Sequence, residues 1–526
     1  METASTRRPT PPSASSSPDM NGEHAPPNTE GTSAAPDAAG AEASPAAAAA
    51  PADGKLPRNH FTVIALLLVA AFVVILNETT MGVALPPIME HFGVSAGVGQ
   101  WLTTIFMLMM AVVIPMTGFL LQRLGTRGSF LIAMGLFTAG TALAALAPTF
   151  GVLVLARVIQ ACGTAVMLPL LMTTVMNLVP PSRRGRFMGN VSLVIAAAPA
   201  LGPTMSGALV EPLGWRGVFG VMLPIAAVSL ILGALMVKDV SERSRQKLDL
   251  PSVPLSALGF GGLVYGLSAM GEGGGAPVHP AIPIGLGAVV LALFTLRQIR
   301  LQRTDDALMD MRAFRAPGFS RALAAMSVAA LGMFGALILL PLVLQEAMDL
   351  DPLSTGLIVL PGAISMGLLG PVVGGWYDRV GPRPLVVPGS VLTVLSMLGL
   401  STVEPDSSWL LVLASHVVLC LGLSMMFTPL FTTALAGLTP ALYSHGSAAL
   451  NTVQQVAGAA GTALFVALFS ARSESLAEKG VPAAESLTGG AQLAFLVGAG
   501  VLVAGFLIAL PLRRPEGAAP AVTGGH

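Results

Sequence analysis

The chain has 526 residues, of which 53% are hydrophobic and only 10% charged, and its mean hydropathy is +0.76. A water-soluble protein needs charge on about a quarter of its residues, so the composition excludes that class and indicates an integral membrane protein. Basic and acidic residues both number 27, and such a balance gives no sign of the basic face that a nucleic-acid partner requires.

The two ends of the chain differ from the rest in composition. Alanine, proline, serine and glycine dominate residues 1–58 and 514–526, and we interpret both segments as disordered cytoplasmic tails. The first tail is not a signal peptide, because Arg7 and Arg8 are not followed by an apolar run. The first apolar run, from about Phe61, is therefore expected to act as an uncleaved anchor.

Fourteen apolar segments are long enough to span a bilayer, which takes about 20 residues each. They lie near 61–87, 98–121, 129–148, 151–173, 187–210, 217–237, 252–271, 280–299, 319–345, 355–376, 384–403, 409–434, 445–470 and 490–512. The predicted fold class is an all-α integral membrane protein with its spans arranged 6+2+6. Its parts are a six-helix bundle in 59–240, an inserted pair of helices in 241–316 and a second six-helix bundle in 317–513.

The orientation follows from lysine and arginine, which accumulate in cytoplasmic loops. If both termini are cytoplasmic, 23 of the 27 basic residues fall on the inner side and three on the outer side. The remaining one, Arg157, lies within the fourth span. This bias supports a multi-pass protein of the cell membrane, inner or plasma, with an even number of spans.

Two copies of one loop motif show that the chain repeats itself. Gly118, Gln122, Arg123, Gly125 and Arg127 follow the second span, and they match residues after the tenth span at a constant offset of 256. The matched residues are Gly374, Asp378, Arg379, Gly381 and Arg383. Pro169 and Pro429, in the fourth and twelfth spans, match at an offset of 260. Internal repeats of this kind are typical of transporters whose sites lie between the halves.

Glu78 and Arg157 are the ionisable residues that the predicted spans place deepest in the membrane. Placing a charged side chain at that depth costs about 2.5–3.5 kcal/mol on insertion scales, so such a residue is expected to have a function. Glu78 lies about 13 Å along the helix axis from the outer end of the first span, and Arg157 lies at a similar depth in the fourth. We predict that Glu78 carries a proton and that Arg157 tunes it; a structural ion pair is the alternative.

Other polar residues and the small residues of the fifth span mark the expected cavity and gate. Substrate is expected to contact residues at the interface between the halves: Asn77, Met81, Trp101, Gln160, His416, Asn451, Gln454 and Gln455. His416 also fits a packing histidine. The two prolines and small residues of the fifth span predict a rocking surface, or ordinary close packing: Pro199, Gly202, Pro203, Ser206 and Gly207.

No motif for catalysis or for nucleotide or metal binding is found. The glycine-rich segment 271–275 lacks the Lys-Ser/Thr of a phosphate loop, so ATP is not expected as the energy source. The chain is expected not to be an enzyme, to bind no metal or other cofactor, and to use a proton gradient.

The motifs in this order resemble a known family over about residues 60–512. The resemblance is carried by the following segments: Leu76 through Pro86, Gln100-Trp101, the two loop motifs, Arg157-x-x-Gln160, Gly202-Pro203-x-x-Ser206-Gly207, Trp215-Arg216 and 450–455. They are similar to the fourteen-span drug:proton antiporters of the major facilitator superfamily, in particular the lincomycin-resistance-like exporters. The resemblance implies alternating access, proton-driven export, Arg157 as a coupling residue and residues 199–207 as a gate that prevents leakage.

The chain departs from that family at two positions. The usual acid of the first span is Asn77, and the carboxylate is displaced by one residue to Glu78. The acid of the first loop motif is Gln122, whereas the second motif keeps Asp378.

We therefore expect a proton-coupled antiporter that exports small amphipathic compounds, acts in the lipid bilayer as a monomer and needs no nucleic acid or ATP. The sequence leaves open an exporter of an endogenous metabolite, antibiotic or lipid. A non-transporting membrane sensor is a further alternative.

Overall fold

The computed structural model describes residues 57–239, 249–271 and 278–514. The predicted tails fall outside these ranges except for their innermost residues. Within these ranges all regular secondary structure is helical.

The helices fall into three groups along the chain. The first half contains α1 (Arg58–Phe92), α2 (Ala96–Gly99), α3 (Trp101–Val113), α4 (Thr117–Ala145), α5 (Phe150–Leu178) and α6 (Arg184–Met236). The inserted pair is α7 (Ser252–Gly271) and α8 (Ala281–Leu301). The second half contains α9 (Pro317–Leu342), α10 (Pro352–Val380), α11 (Arg383–Leu400), α12 (Trp409–Ala436), α13 (Tyr443–Ala477) and α14 (Ala483–Ala509).

By length and composition, twelve helical segments of the described residues qualify as membrane spans. One of them, Gly97–Ala145, has 49 residues, and α6 has 53. Straight helices of that length would measure about 75–80 Å, against a hydrocarbon thickness of about 30 Å. Each is broken by one glycine with non-helical backbone angles, Gly125 or Gly214. Both glycines lie between two of the predicted spans, so the count of fourteen remains a prediction.

The glycine of the repeated loop motif has the same backbone conformation in both copies. Gly125 has φ 71° and ψ 179°, and Gly381 has φ 80° and ψ −173°. Essentially only glycine adopts this region. The repeat thus has a physical basis, because the motif makes the same sharp turn after the helix in each half.

The exposed surface is largely apolar. On α8, large side chains more than half exposed recur along one stripe: Ile282, Leu286, Val289, Leu293 and Leu296. A soluble protein rarely exposes a continuous apolar stripe, whereas a membrane helix presents it to lipid. The exposed face of the inserted pair therefore fits a hydrocarbon environment.

Within each half the helices pack as a bundle, and a few pairs join the halves. In the first half α1 packs on α6 and α4 on α5; in the second half α11 packs on α12 and α13 on α9. The halves meet mainly through α6 with α10, and α13 also contacts α4 and α5. The inserted helix α7 packs against α3 and α13, so it bridges the two halves.

Candidate functional site

Arg157 is fully buried in the middle of the first half, with 1% of its surface exposed. It lies on α5, which begins at the N-cap Thr149, whose side chain accepts a hydrogen bond from the Val152 N–H. The guanidinium donates to the backbone carbonyl of Leu102 and lies 4.0 Å from the centre of the Phe106 ring. A buried cation needs such contacts, because leaving water without them costs several kcal/mol.

Two amide side chains complete the surroundings of Arg157. Its Nη1 donates to Oε1 of Gln160 at 3.1 Å and to Oδ1 of Asn77 at 3.4 Å. Gln160 in turn donates from Nε2 to the hydroxyl of Thr141 at 2.9 Å. A chain of hydrogen bonds therefore links α1, α5 and α4 inside the first half.

Glu78 lies next to this network but on another face of α1. One residue of an α-helix rotates the side chain by about 100°, and Asn77 rather than Glu78 faces the guanidinium. Within the described part of the chain, Glu78 forms no hydrogen bond or salt bridge, and its interaction with Arg157 is through space only. The structural ion pair that the sequence left open is thus not present between these two residues.

Asn77 carries an unused donor. The residue is completely buried, and its Nδ2 has no hydrogen-bond partner among the described residues. A buried amide without a partner costs about 1–3 kcal/mol. Such a group is a marker of function, because a substrate or water molecule that accepted its hydrogen bond would recover this cost.

The small residues of α6 pack against α1 within the same half. Gly202 touches Thr79 so closely that a Cβ atom at this position would overlap its side chain. One turn further, the Ser206 hydroxyl donates to the Thr80 carbonyl at 2.9 Å. Gly202 and Ser206 therefore form a joint between the helix of Glu78 and α6, not a contact between the halves.

The other residues predicted for the gate have different surroundings. Pro199 is exposed, and no atom outside its own helix lies within 4 Å of the Cβ position of Gly207. The side chain of Pro203 is outside the described part. The surface between the halves lies closer to the start of α6, where Gly189 and Leu193 contact Gly370 and Gly367 of α10.

The residues predicted to line the cavity fall into separate places. Asn77 and Gln160 belong to the Arg157 network, and Asn451 on α13 reaches across to Met172 on α5, with Nδ2 3.5 Å from the sulfur. Gln454 and Gln455 are half-buried, and their amides bond to no other described residue. The hydrogen-bonding groups of these two amides are therefore unused among the described residues, and their contact with substrate stays a prediction.

Three further predicted residues lie in packing environments. Met81 is buried in a cluster with Leu102 and Trp215. His416 packs beside Gly362 and places Nε2 3.6 Å from the Cys420 sulfur; its contact with substrate stays a prediction. Trp101 is 42% exposed and stacks on Tyr265 of the inserted pair, with ring centres 6.4 Å apart.

The loop motifs join the two halves at one end of the bundle, which we call the motif side. Asp378 accepts hydrogen bonds from the backbone N–H groups of Gly185 at 2.7 Å and Arg186 at 3.0 Å. At the matched position Gln122 donates to the Ala441 carbonyl at 2.7 Å. The replacement of the acid by glutamine therefore keeps a bridge to the other half, although the direction of the hydrogen bond is reversed.

The glycines of the motifs allow the backbones to meet beside these bridges. Gly374 and Gly185 are in direct contact, and a Cβ on Gly118 would lie 3.0 Å from the Cα of His445. Arg184 adds a third link, because its Nη1 donates to the Tyr443 hydroxyl at 3.2 Å. The halves are thus closed against each other on the motif side.

Three further arginines of the motifs have other surroundings. Arg127 donates from Nη2 to the Ala234 carbonyl at 2.8 Å, and its backbone N–H donates to Asp239. Arg379 and Arg383 are exposed at the end of α10 and the start of α11.

Sequence reasoning missed Thr141 and Phe106, which contact the buried polar network. Each stands in an apolar helix, and nothing in the linear sequence relates either to Arg157. In the structure the neighbouring Gly140 allows α4 to approach α5 closely, since a Cβ at Gly140 would lie 2.7 Å from the Gln160 side chain.

Comparison with known proteins decides the family. The family model described as Major Facilitator Superfamily matches residues 67–462. The chain belongs to the Major Facilitator Superfamily. Members of this superfamily are membrane transporters, so the chain is a multi-pass transporter and not an enzyme.

Relatives within the superfamily include proteins named for drug resistance. The lincomycin resistance protein LmrB of Listeria innocua is 38% identical over 459 residues, which cover 86% of this chain and 97% of that protein. The uncharacterized MFS-type transporter YcnB of Bacillus subtilis is 38% identical over 460 residues, 88% of this chain and 96% of that one. The multidrug resistance protein B homolog of Mycobacterium tuberculosis is 30% identical over 400 residues, covering 75% and 73%. The chain is therefore similar to the multidrug exporters of the superfamily.

Solved structures confirm the superfamily fold. The human organic anion transporter MFSD10 aligns with a TM-score of 0.61 at 16% identity, over 86% of this chain and all of that one. The proton:xylose symporter XylE aligns with a TM-score of 0.58 at 13% identity, over 85% and 94%. At these identities the likeness concerns the fold alone.

Proposed function

We propose that the protein exports small amphipathic compounds in exchange for protons by alternating access. The observation that carries the proposal is the buried polar network of Arg157, Gln160 and Asn77 beside the carboxylate of Glu78. Burying a charged side chain in a membrane costs free energy, and buried charges that bond to other polar groups are typical of ion pathways. The names of the relatives support a drug-like cargo.

In this mechanism Glu78 carries the proton and Arg157 sets how readily it is released. Because no salt bridge fixes the carboxylate, a modest movement of α1 against α5 changes the electric field at Glu78. One proton entering down about 100 mV releases about 2.3 kcal/mol. This energy sustains a substrate gradient of roughly 50-fold.

Substrate is proposed to bind between the halves. The half-buried amides of Gln454 and Gln455 on α13 are proposed to contact it, together with the unpartnered Nδ2 of Asn77 and with Asn451, which reaches Met172 of α5. A few polar groups in an otherwise apolar cavity suit amphipathic compounds.

The proposed arrangement has fourteen spans, with Gly125 and Gly214 dividing the two long helices. Both termini and the motif side are proposed to be cytoplasmic, because the basic residues accumulate there. The protein is proposed to act in the cell membrane as a monomer, without ATP or another cofactor.

The test replaces Glu78 with glutamine and measures proton flux in everted membrane vesicles. With its carboxylate removed, the Glu78→Gln protein should lose at least ten-fold in substrate-linked proton flux while remaining folded and inserted. Glu90→Gln is the matched control, since Glu90 is exposed near the C-terminal end of the same helix, and its flux should equal that of the wild type.

Unchanged flux in Glu78→Gln would exclude the proposed proton carrier. Absence of cargo movement in the wild type, across a panel of amphipathic compounds, would instead favour a protein with an endogenous cargo or a sensor.

A further inference from the structure

A surface groove of about 320 Å³ lies where α6 of the first half meets α10 of the second. Its lining combines two cations with apolar side chains: Arg186, Pro371, Val372, Gly375, Trp376 and Arg379. We call it the arginine groove. It lies beside the contact of Gly185 with Gly374 but is no part of the polar network around Arg157.

The two guanidinium groups of the groove have free hydrogen-bonding capacity. Arg186 and Arg379 are both exposed, and neither side chain bonds to another residue of 57–239, 249–271 or 278–514. The neighbouring Asp378 accepts the backbone N–H groups of Gly185 and Arg186; it interacts with the Arg186 guanidinium only through space, and forms no salt bridge with either arginine among the described residues. Two cations from different helices therefore converge on one opening.

An apolar stripe leads from the hydrocarbon region to this opening. Leu368, Val372 and Trp376 follow each other at one-turn intervals on α10, with exposures of 66%, 46% and 48%. Arg379 lies one turn beyond Trp376. Tryptophan prefers the boundary between hydrocarbon and headgroups, so the order of the stripe matches the order of parts in a phospholipid: acyl chain, glycerol region, phosphate.

We propose that the arginine groove binds one anionic phospholipid, whose phosphate contacts Arg186 and Arg379 and whose acyl chain lies along Leu368, Val372 and Trp376. Guanidinium groups bind phosphate through paired hydrogen bonds, and basic pockets between membrane helices bind anionic headgroups. The leaflet is the cytoplasmic one if the orientation proposed above is correct.

The matched surface of the other half lacks these features. At an offset of 256, Arg123 corresponds to Arg379, but Leu120 replaces Trp376; at an offset of 260, Gly446 replaces Arg186. The repeat therefore supplies one cation there and no tryptophan. The groove is specific to the side formed by α6 and α10, which argues against a general consequence of the fold.

The lipid would also favour one conformation. Arg186 belongs to the first half and Arg379 to the second, so a phosphate bound by both holds the halves together on the motif side. A ligand that contacts both halves only when they are closed shifts the equilibrium toward that state.

The test measures lipid binding to the purified full-length protein by native mass spectrometry in detergent. Phosphatidylglycerol should bind more tightly than phosphatidylcholine to the wild type. Each arginine near an anionic headgroup contributes roughly a five-fold gain in affinity. Arg186→Gln/Arg379→Gln should therefore bind phosphatidylglycerol about 30-fold more weakly, and each single variant about five-fold.

The matched control is Arg58→Gln/Arg300→Gln, which removes two exposed arginines at the ends of α1 and α8 and should leave binding unchanged. Inorganic phosphate should displace the lipid only at far higher concentrations, because it lacks the acyl chain. Any one of three results would overturn the proposal. The wild type could bind both lipids equally, or the control variant could lose as much phosphatidylglycerol binding as Arg186→Gln/Arg379→Gln. Inorganic phosphate could also displace the lipid at the lipid's own concentration. The readout needs no transport, so it stands apart from the Glu78 test.

Discussion

The position of the carboxylate relative to Arg157 is the central feature at the scale of single residues. The guanidinium is surrounded by neutral acceptors, the Leu102 carbonyl and the amide oxygens of Asn77 and Gln160. The planar guanidinium offers five N–H donors in a fixed geometry, which suits neutral acceptors that come from three helices. Asn77 is an amide and carries no titratable proton, so the proposed proton carrier is Glu78, the next residue of the same helix.

We predict that moving the acid back by one residue restores coupling. In Asn77→Asp/Glu78→Gln the new carboxylate would occupy the site of the Asn77 amide, 3.4 Å from Nη1 of Arg157. Proton flux in everted vesicles should rise at least five-fold above that of Glu78→Gln alone. Activity in the double variant no greater than in Glu78→Gln would show that the position of Glu78, and not merely an acid beside Arg157, is required.

The sequence was sufficient to single out Arg157 and Gln160, because polar residues stand out inside apolar spans. It was not sufficient to identify their partners. Thr141 and Phe106 come from other helices, and their contacts depend on how α3 and α4 are rotated against α5. The direct pairing of Asn77 with Arg157 likewise depends on a rotation of α1 that residue order does not fix.

At the scale of elements, α6 presents two different faces. Near its start, Gly189 and Leu193 contact α10 across the interface of the halves. Further along, Ala198 and Gly202 contact Thr79 of α1, with the Thr79 hydroxyl 3.4 Å from the Ala198 carbonyl. Both contact sites lie on one continuous stretch of α6, so a movement of α10 against α6 can reach the helix of Glu78.

We predict that a single methyl group at Gly202 disturbs this joint. Gly202→Ala places a Cβ against the side chain and backbone of Thr79, and such overpacking typically costs about 1–3 kcal/mol. The free energy of unfolding in detergent should fall by that amount. Gly207→Ala on the same helix has open space and should unfold like the wild type; equal stability of both variants would contradict the close contact at Gly202.

The whole molecule combines a repeated scaffold with local differences. Gln122 and Asp378 occupy matched positions and each bridges to the opposite half. The same side holds the link of Arg184 to Tyr443, so the structure shows the halves joined at the motif side. Under the proposed orientation this is a cytoplasm-closed state.

We predict the sidedness of three exposed positions from the proposed fourteen-span arrangement. After Cys162 and Cys420 are replaced by serine, Pro148→Cys and Asp406→Cys should react with a membrane-impermeant maleimide in intact cells. Ser182→Cys should react only after the membrane is opened. Labelling of Ser182→Cys in intact cells, or protection of the other two, would refute the arrangement.

The sequence by itself determined the membrane location, the two-fold repeat and the presence of Arg157 and Gln160 inside an apolar span. Each of these follows from composition or spacing, because lipid tolerates so few polar groups that every exception is visible. Gly125 and Gly381 stand out in the sequence as glycines of a motif repeated at 256 residues, but the turn that they make was found only in the structure.

Only the tertiary structure decided which of these residues meet. In the structure Asn77, and not Glu78, forms the hydrogen bond with Arg157. Gly202 packs against α1 and not against the other half. Arg186 and Arg379 line one groove. All three outcomes depend on helix rotation and on contacts across hundreds of residues. Apolar helices that face lipid on one side and protein on the other carry little periodic signal, and packing between them fixes their rotation.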